Sequence, residues 1–511
     1  MLIRKTVLIY FSLLMFLFSA NAQNEALSKI DIPDLKEYLT FIASDELQGR
    51  ELGTEVDGLE ITANYLADYA KETGLKPAVE NYFQPVPILH TTPSTDDFIE
   101  VNNKKGKSVY RSKELVKLTQ IPGVFSLDEE PVTFIGFGEN IEPLDIKDKL
   151  VIVAQGSAES FSGEEAFEWQ NRVESAKINA IMEKQPKALL IITNPKDTEN
   201  KTFKQLNGWM SRSGYSVKTD DDGTEQPAVL LATPKVADAL LGKKGQYEKY
   251  LEDIVAGSEE LAEVSETLSL KSGSEPELLE GKNVIAYVEG SDPVLKNEYI
   301  VFMAHYDHLG IGEDGDVYNG ADDNGSGTVA IMEVAEAFAS LKEKPKRSIV
   351  FLWVTCEEKG HFGSSYYCDH PVFPLDKTVA SINLDMVGRV YDGPRDDVWK
   401  DSPKKVKDFD GLYTLSNDVW PGLAEINAEH CAELGLVPDT SLPKERFLRA
   451  SDHYHFHKNG VPILNYATGY HADYHKVGDE VERINFEKIK RVADLCFLVG
   501  FDLANKEDIE F

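Results

Sequence analysis

Residues 299–307 read YIVFMAHYD, six apolar residues followed directly by a histidine and, two positions further on, by an aspartate. A run that is apolar on both faces is typical of a central strand that helices cover on both sides of a sheet. Three further runs of this kind follow along the chain, at 349–354, 380–384 and 461–464. We therefore predict at least four buried strands in the second half of the chain.

Helical patterns separate these runs. They lie at Thr328–Leu341, at about 417–434 and at Phe486–Ala504, where apolar residues recur at helical spacing. From Asn283 onward the order strand, loop, helix repeats. This alternation predicts an α/β layer sandwich.

The middle of the chain has a different pattern. Short β-rich runs occur at Val132–Gly136, Leu150–Val153 and Ala188–Ile192, with polar or acidic turns between them. A stretch rich in Ser, Glu and Gly at 255–281 is typical of a linker. We predict an inserted domain with its own sheet at 118–275.

Composition excludes several classes of function. The 511 residues include 53 Lys plus Arg and 87 Asp plus Glu, which gives a formal charge of −34. A surface this acidic repels phosphate backbones and anionic lipids, so no nucleic-acid partner is expected. The hydrophobic fraction of 42% is ordinary for a globular protein and predicts a sizeable core.

The N-terminus has the features of an export signal. Arg4 and Lys5 precede an apolar run at Val7–Phe18, and Ala20–Ala22 forms a small-x-small cleavage site. The apolar run is shorter than the ~20 residues that a membrane-spanning helix needs. We therefore predict that residues 1–22 are removed, that no stable membrane insertion follows, and that the protein is secreted or periplasmic.

Ionisable side chains follow the four apolar runs. In chain order these are His305, Asp307, Glu357, Glu358, Asp385 and His475. A glycine-rich loop at 319–327, NGADDNGSG, lies between the first two runs. Sites in open α/β sheets form beyond the carboxyl ends of the strands, and imidazoles with carboxylates suit zinc. One such residue alone would be ordinary, but the whole series predicts a metal site.

The motifs in which these residues stand identify a resemblance. They are AHYDHLG at 304–310, GADDNGSG at 320–327, EEKG at 357–360, NLDMVG at 383–388 and DYH at 473–475. In order and spacing they resemble the co-catalytic di-zinc aminopeptidases, a family that includes bacterial leucyl aminopeptidase, aminopeptidase Y and relatives of glutamate carboxypeptidase II. The middle region is similar to the protease-associated domain that many members carry.

The resemblance implies a three-layer α/β/α zinc-exopeptidase domain with a central mixed sheet, plus an inserted β-rich protease-associated domain. The implied division is a signal peptide at 1–22, the N-terminal part of the peptidase domain at 23–117, the insert at 118–275 and the catalytic domain at 276–511.

The resemblance also implies two Zn²⁺ ions and their ligands. His305 and Asp385 would hold one ion, Glu358 and His475 the other, and Asp322 would bridge both. A cis peptide bond would follow the bridging residue, at Asp322-Asp323.

Roles in catalysis follow from the same resemblance. Glu357 would be the general base that deprotonates the attacking water, and Tyr474 would stabilise the developing oxyanion. Asp307 would accept the second ring N–H of His305 and so fix its tautomer, and Asp479 would do the same near His475. The implied activity is that of a secreted zinc aminopeptidase acting on peptide substrates.

Other functions remain open at this stage. A glutaminyl-peptide cyclotransferase-like enzyme with one zinc, or a receptor-like binding protein without a metal site, would share the fold. Carboxypeptidase action on acidic dipeptides would need a basic cluster, for which Arg389, Arg395, Arg446 and Arg449 are the candidates. The segment Ser451–His457, with three histidines, is interpreted as pocket lining in preference to a third metal site.

Overall fold

The chain divides into two units. The computed structural model describes residues 22–92, 94, 96–118, 124–162, 171–210, 213–218, 227–259, 261–273, 276–390, 409–441 and 443–509. The first unit comprises the chain up to Pro87 and from Leu279 onward, and the second unit is Ile88–Leu278.

Four parallel strands form the centre of the first unit. They are β1 (Tyr299–His305), β2 (Ser348–Val354), β3 (Thr378–Leu384) and β4 (Ile463–Ala467). Their order in the sheet is β4, β3, β1, β2, and every neighbouring pair is parallel. The four strands predicted from the apolar runs are thus confirmed.

Other strands extend this sheet on both sides and make it mixed. Glu277–Val288 pairs antiparallel with β2, and Gly411–Ser416 pairs antiparallel with β4. The remaining strands of the sheet in this unit are Lys76–Pro77, Val437–Asp439 and the start of Phe83–Thr91. A separate short hairpin joins Gly310–Ile311 to Val317–Tyr318.

Three helices pack together on one face of the sheet: α1 (Ile32–Ile42), α2 (Gly327–Ser340) and α3 (Phe486–Asn505). Phe302 and Phe351 point from β1 and β2 to Phe338 of α2, which also contacts Phe497 of α3. Because side chains alternate along a strand, Val301 and Met303 face the other way. They pack in a cluster with Tyr367 and Phe456, from two further helices.

Both faces are therefore covered by helices, and the mixed α/β fold predicted from the sequence is confirmed. The other helices of this unit are Gly58–Glu72, Phe362–Asp369, Pro421–Glu433, Lys444–Phe447 and His453–Lys458. In the described part of the chain, none of the helices combines the length and apolar character needed to cross a membrane. Residues 1–21 of the predicted signal lie outside the described residues.

The second unit has its own eight-stranded sheet. In sheet order the strands are Gly106–Tyr110, Phe98–Asn103, Leu261–Ser272, Phe125–Ile135, Leu150–Ala154, Ala188–Ile192, Ala228–Ala232 and Leu115–Lys117. Its helices are Asn171–Met182, Lys201–Met210, Pro234–Leu240 and Gln246–Val255. Buried apolar clusters lie on it, one of them containing Leu190 and Leu230, the other Leu189 and Val229.

This unit begins earlier than the insert predicted at 118–275. Three strands that precede residue 118 hydrogen-bond within its sheet: Phe98–Asn103 to Leu261–Ser272, Gly106–Tyr110 to Phe98–Asn103, and Leu115–Lys117 to Ala228–Ala232. The part assigned to the peptidase domain at 23–117 therefore ends near Pro87. Two of these pairings, those with Leu261–Ser272 and Ala228–Ala232, join residues more than 100 positions apart and therefore give no local sequence signal.

The aromatic contact between α2 and the sheet gives a stability prediction. Phe338 is completely buried, so Phe338→Ala should leave a cavity and lower the free energy of unfolding by about 3–5 kcal/mol. Urea denaturation followed by tryptophan fluorescence measures this change. The control is Val294→Ala, since Val294 is 71% exposed and should change stability by less than about 0.5 kcal/mol. Equal stability of the two variants would contradict the assigned packing.

Candidate metal centre

Ionisable side chains gather at the carboxyl ends of the four central strands. His305 is the last residue of β1, and Asp385 directly follows β3. Glu357 and Glu358 come just after β2, where Cys356 has a positive φ of 56° and turns the chain sharply. His475 follows β4 after a short loop. Parallel strands thus bring residues 170 positions apart in sequence to one edge of the sheet.

Asp323 lies between two halves of this cluster. Its Oδ1 is 3.5 Å from Nε2 of His305, while its Oδ2 is 3.1 Å from Nε2 of His475. The Asp323 side chain is almost completely buried. One carboxylate therefore presents each of its oxygens to a different imidazole.

Asp322, which was expected to take this bridging position, lies elsewhere. Its Oδ1 accepts a hydrogen bond from the backbone N–H of Gly388 at 2.6 Å, and its Oδ2 is 3.2 Å from Nε2 of His471. Residues Ala321–Ser326 form a wide helical turn, in which adjacent side chains point in different directions. The cis peptide bond is correspondingly Asp323-Asn324, one residue later than expected. The position expected for Asp322, between the two imidazoles, is occupied by Asp323.

The two halves have the spacing of metal donors. Nε2 of His305 is 3.4 Å from Oδ1 of Asp385, and Nε2 of His475 is 3.3 Å from Oε2 of Glu358. Ligands at 2.0–2.1 Å from a tetrahedral ion lie about 3.3 Å from each other, so these distances leave room for an ion in each half. Nε2 of His305 and Oδ1 of Asp385 are buried without a hydrogen-bond partner among the described residues. Nitrogen and oxygen donors of this kind fit zinc.

Glu357 borders the same cavity without belonging to either pair. Its Oε2 is 3.9 Å from Nε2 of His305, and its Oε1 is 3.0 Å from Nε2 of His361. Burial raises the pKa of Glu357 well above its ordinary value, although the charge of His305 opposes this shift. A carboxylate that is buried beside the donors and binds protons more readily than usual is suited to proton transfer.

Asp307 acts on the backbone that carries the glutamates. Its two carboxylate oxygens accept hydrogen bonds from the N–H groups of Glu357 and Glu358, at 3.0 and 3.1 Å. Nδ1 of His305 is 3.7 Å from this carboxylate but 3.3 Å from the carbonyl oxygen of Asp307. The backbone carbonyl is therefore the nearer partner of the ring, and the carboxylate positions Glu357 and Glu358. The expected contact of the Asp307 carboxylate with the ring is present at 3.7 Å, but the carboxylate lies closer to the two backbone N–H groups.

Asp479, like Asp307, binds backbone N–H groups. Its Oδ2 accepts hydrogen bonds from the N–H groups of both Asp322 and Asp323, each at 3.0 Å. It was expected to contact His475, but it orients the turn that carries Asp323.

Two residues that the sequence analysis did not single out also contribute. His308 is fully buried, and its Nδ1 lies 2.8 Å from Oε1 of Glu358, which orients that carboxylate. Arg50 is also fully buried, and donates to the backbone carbonyls of Ile42, Tyr306, Asn319 and Gly320 at 2.6–3.0 Å. His308 stands within the quoted motif at 304–310, whereas Arg50 precedes every recognised motif and has no local signal.

A pocket opens beside the cluster. Asp323, Glu357, Glu358, Asp385 and His475 form one wall, and the other lining residues are Met386, Tyr413, Phe447, Ala450, Ser451, His453, Asn465, Ala467, Gly469, Tyr470 and Tyr474. The ring of Tyr474 stacks on that of His475, with centroids 3.8 Å apart. Burial raises the pKa of Tyr474, so its hydroxyl remains a donor at neutral pH.

The segment Ser451–His457 contributes to this pocket through Ser451 and His453. Nε2 of His453 contacts the carbonyl oxygen of Phe447 at 2.8 Å, and burial lowers the pKa of His453 to about 4. These contacts favour pocket lining, as interpreted from the sequence, and most of the segment lies in the helix His453–Lys458.

The second half of the chain is similar to known peptidases. Residues 283–499 match peptidase family M28. Over this segment the chain is similar to that family. Aminopeptidase YwaD of Bacillus subtilis is 30% identical over 221 residues, which are 42% of this chain and 43% of that protein. Leucine aminopeptidase 2 of Arthroderma otae is 30% identical over 233 residues, 40% of this chain and 41% of that protein.

The matched region thus covers less than half the length of each of these curated relatives. A solved structure, the aminopeptidase from Aneurinibacillus sp. strain AM-1, superposes with a TM-score of 0.50. It covers 96% of this chain and 99% of its own, at 18% identity, and therefore shows a shared fold. The family resemblance predicted from the motifs is confirmed over the M28 segment.

Substitution can test whether Asp323 or Asp322 contributes to zinc binding. We expect Asp323→Asn to lower the amount of zinc retained after dialysis from two ions per chain to one or fewer, because Asn lacks the second anionic oxygen. Asp322→Asn is the matched control, since its amide oxygen can still accept from Gly388. Elemental analysis by mass spectrometry measures the zinc content. Loss of zinc from the Asp322 variant alone would reverse the assignment.

Proposed function

We propose that the protein is an exported zinc-dependent aminopeptidase that hydrolyses the first peptide bond of its substrates. The observation that carries this proposal is the position of the Asp323 carboxylate, whose two oxygens face His305 and His475 at 3.5 and 3.1 Å. A buried carboxylate that lies between two His-carboxylate pairs is suited to binding a pair of cations.

The residues of each half define the proposed ligands. His305 and Asp385 would hold one Zn²⁺ and His475 and Glu358 the other, with Asp323 in contact with both. When bound, two such ions supply Lewis acidity, which polarises the scissile carbonyl group and lowers the pKa of a water molecule toward about 7.

Glu357 is the proposed general base. It would take a proton from the attacking water and pass it to the nitrogen of the leaving amine, a role that contributes typically ~10²- to 10⁴-fold. Its burial supports this role, because a raised pKa lets the protonated carboxyl persist long enough to act as an acid. Asp307 would hold Glu357 and Glu358 in register through its two backbone hydrogen bonds.

Tyr474 is the proposed donor to the oxyanion. Its stacking on His475 keeps the phenol at the edge of the pocket, and its raised pKa keeps the hydroxyl protonated. A neutral donor aimed at the carbonyl oxygen gains strength as negative charge develops there.

The lining of the pocket favours the amino end of a peptide over its carboxyl end. The described lining residues include no lysine or arginine, so the pocket lacks the basic cluster that would bind a terminal carboxylate. Of the arginines considered for carboxypeptidase action, Arg389 pairs with Asp473 at 2.7 Å, and Arg395 lies outside the described residues. Tyr413, Phe447 and Tyr470 supply an apolar wall suited to a large apolar side chain.

The proposal also includes export of the protein and the identity of its second unit. We infer that residues 1–22 direct the chain to the periplasm or the exterior and are then removed. The second unit is proposed to be a protease-associated domain, on the basis of the resemblance of its sequence.

Substitution of Glu357, the proposed base, distinguishes a role in proton transfer from a role in metal binding. We expect Glu357→Gln to lower kcat at least ~10²-fold while two zinc ions per chain are retained, because Gln cannot accept the proton. Glu358→Gln should lower both activity and zinc content. The exposed Glu343→Gln is the control and should change neither. A Glu357 variant with more than half of the original kcat would exclude it as the base.

The type of reaction can be identified from products. Hydrolysis should separate the amino acid from the arylamine in amino-acid anilides, and it should remove one residue from the amino end of a peptide that begins with Gln, as read by mass spectrometry. Dialysis against a chelator should abolish both activities. Loss of ammonia without shortening would indicate a cyclotransferase, and absence of both activity and bound zinc would indicate a binding protein. Activity that survives complete metal removal would refute the proposal.

A further inference from the structure

A second cluster of carboxylates lies in the first unit, between helices α1 and α2. Asp34 stands in the first turn of α1, and Glu333 and Glu336 lie one turn apart on α2. One carboxylate oxygen from each of the three lies within 4.8 Å of the others. None of the three belongs to the zinc centre described above.

Glu333 is the unusual member of this cluster. It has no exposed surface, and its Oε2 accepts a hydrogen bond from the backbone N–H of Asp31 at 2.7 Å. Its Oε1 is buried and has no hydrogen-bond partner among the described residues. A buried carboxylate oxygen without a partner is costly, so this atom points to a ligand.

The charges around the cluster lead to the same conclusion. Asp31, which caps α1 by accepting from the N–H of Asp34, adds a fourth carboxylate. Lys29 lies 3.8 Å from Glu336, but its side chain is half-exposed. An ion pair of this kind compensates little of the repulsion among the acids, and burial together with this repulsion raises the pKa of Glu333 to about 8.

We propose that Asp34, Glu333 and Glu336 form a Ca²⁺ site that joins α1 to α2. All the donors are carboxylate oxygens, which hard cations prefer. Calcium accepts irregular geometry and six to eight oxygens, so that water and Asp31 can complete its shell, whereas Mg²⁺ requires near-ideal octahedral geometry. Because Asp34 and Glu336 are only half-buried, we expect a dissociation constant of about 10⁻⁴–10⁻³ M, as in extracellular calcium modules.

The consequence would be structural. Helix α2 begins at Gly327, directly after the turn that contains Asp323, and packs against β1. An ion that fixes α1 to α2 therefore stabilises the helix whose start supports the zinc centre. The site acts on the stability of the first unit and not on the chemistry.

The test uses the full-length protein with its zinc loaded. Thermal unfolding followed by tryptophan fluorescence should show a midpoint about 2–5 °C higher in about 10 mM CaCl₂ than in MgCl₂ of equal ionic strength. Asp34→Asn and Glu336→Gln should each lose this difference, because each removes a charged ligand at a half-buried position. Glu343→Gln, an exposed change of the same charge, should retain it. The same difference in wild type and all variants, or no difference in wild type, would overturn the proposal.

Direct binding provides a second readout that does not depend on stability. Equilibrium dialysis of the zinc-loaded protein with radioactive calcium should give one bound Ca²⁺ per chain, and Glu333→Gln should lower its affinity at least tenfold. If Glu333 is only a buried carboxyl in its protonated form, Gln will replace it without loss of calcium. That result would overturn the proposal and leave the proposed peptidase activity untouched.

Discussion

The buried negative charge at the carboxyl ends of the central strands is the constraint on which the rest of the structure depends. Asp323, Glu358 and Asp385 converge there with side chains that are at most 17% exposed. Burial, and then the charge of Glu358, raises the pKa of Asp323 to about 6, while His475 and His308 act in the opposite direction. A pair of cations would offset the cost of desolvating these charges.

Much of the surrounding architecture holds these carboxylates in place. Arg50 donates hydrogen bonds to backbone carbonyls and so fixes the loops around residues 306 and 320, and its charge also interacts with those of Asp323 and Glu358. Asp307 and Asp479 accept from backbone N–H groups on either side of the cluster. The supporting residues thus fix the geometry of the site.

The sequence predicted this arrangement where the signal was local. An apolar run followed by a polar residue marks the end of a buried strand, so His305, Glu358 and Asp385 could be assigned to one edge of the sheet. The distinction between Asp322 and Asp323 could not be made in this way. Both lie in one glycine-rich turn, where no periodicity states which carboxylate faces the site, and only the backbone conformation of the turn decides.

Long-range pairing limited the remaining predictions. The boundary of the second unit was placed too late because Phe98–Asn103 joins its sheet only through Leu261–Ser272. Arg50 contacts residues up to 270 positions away, and no spacing in the sequence reveals such contacts. His308, by contrast, could have been predicted, since it follows Asp307 within a recognised motif.

Anomalous X-ray diffraction at the zinc edge, on crystals of the zinc-loaded protein, would locate the ions relative to Asp323. We expect two peaks, one between His305 and Asp385 and the other between His475 and Glu358, with the Asp323 carboxylate in contact with both. A single peak, or a pair of peaks bridged by Asp322, would contradict the proposed metal centre.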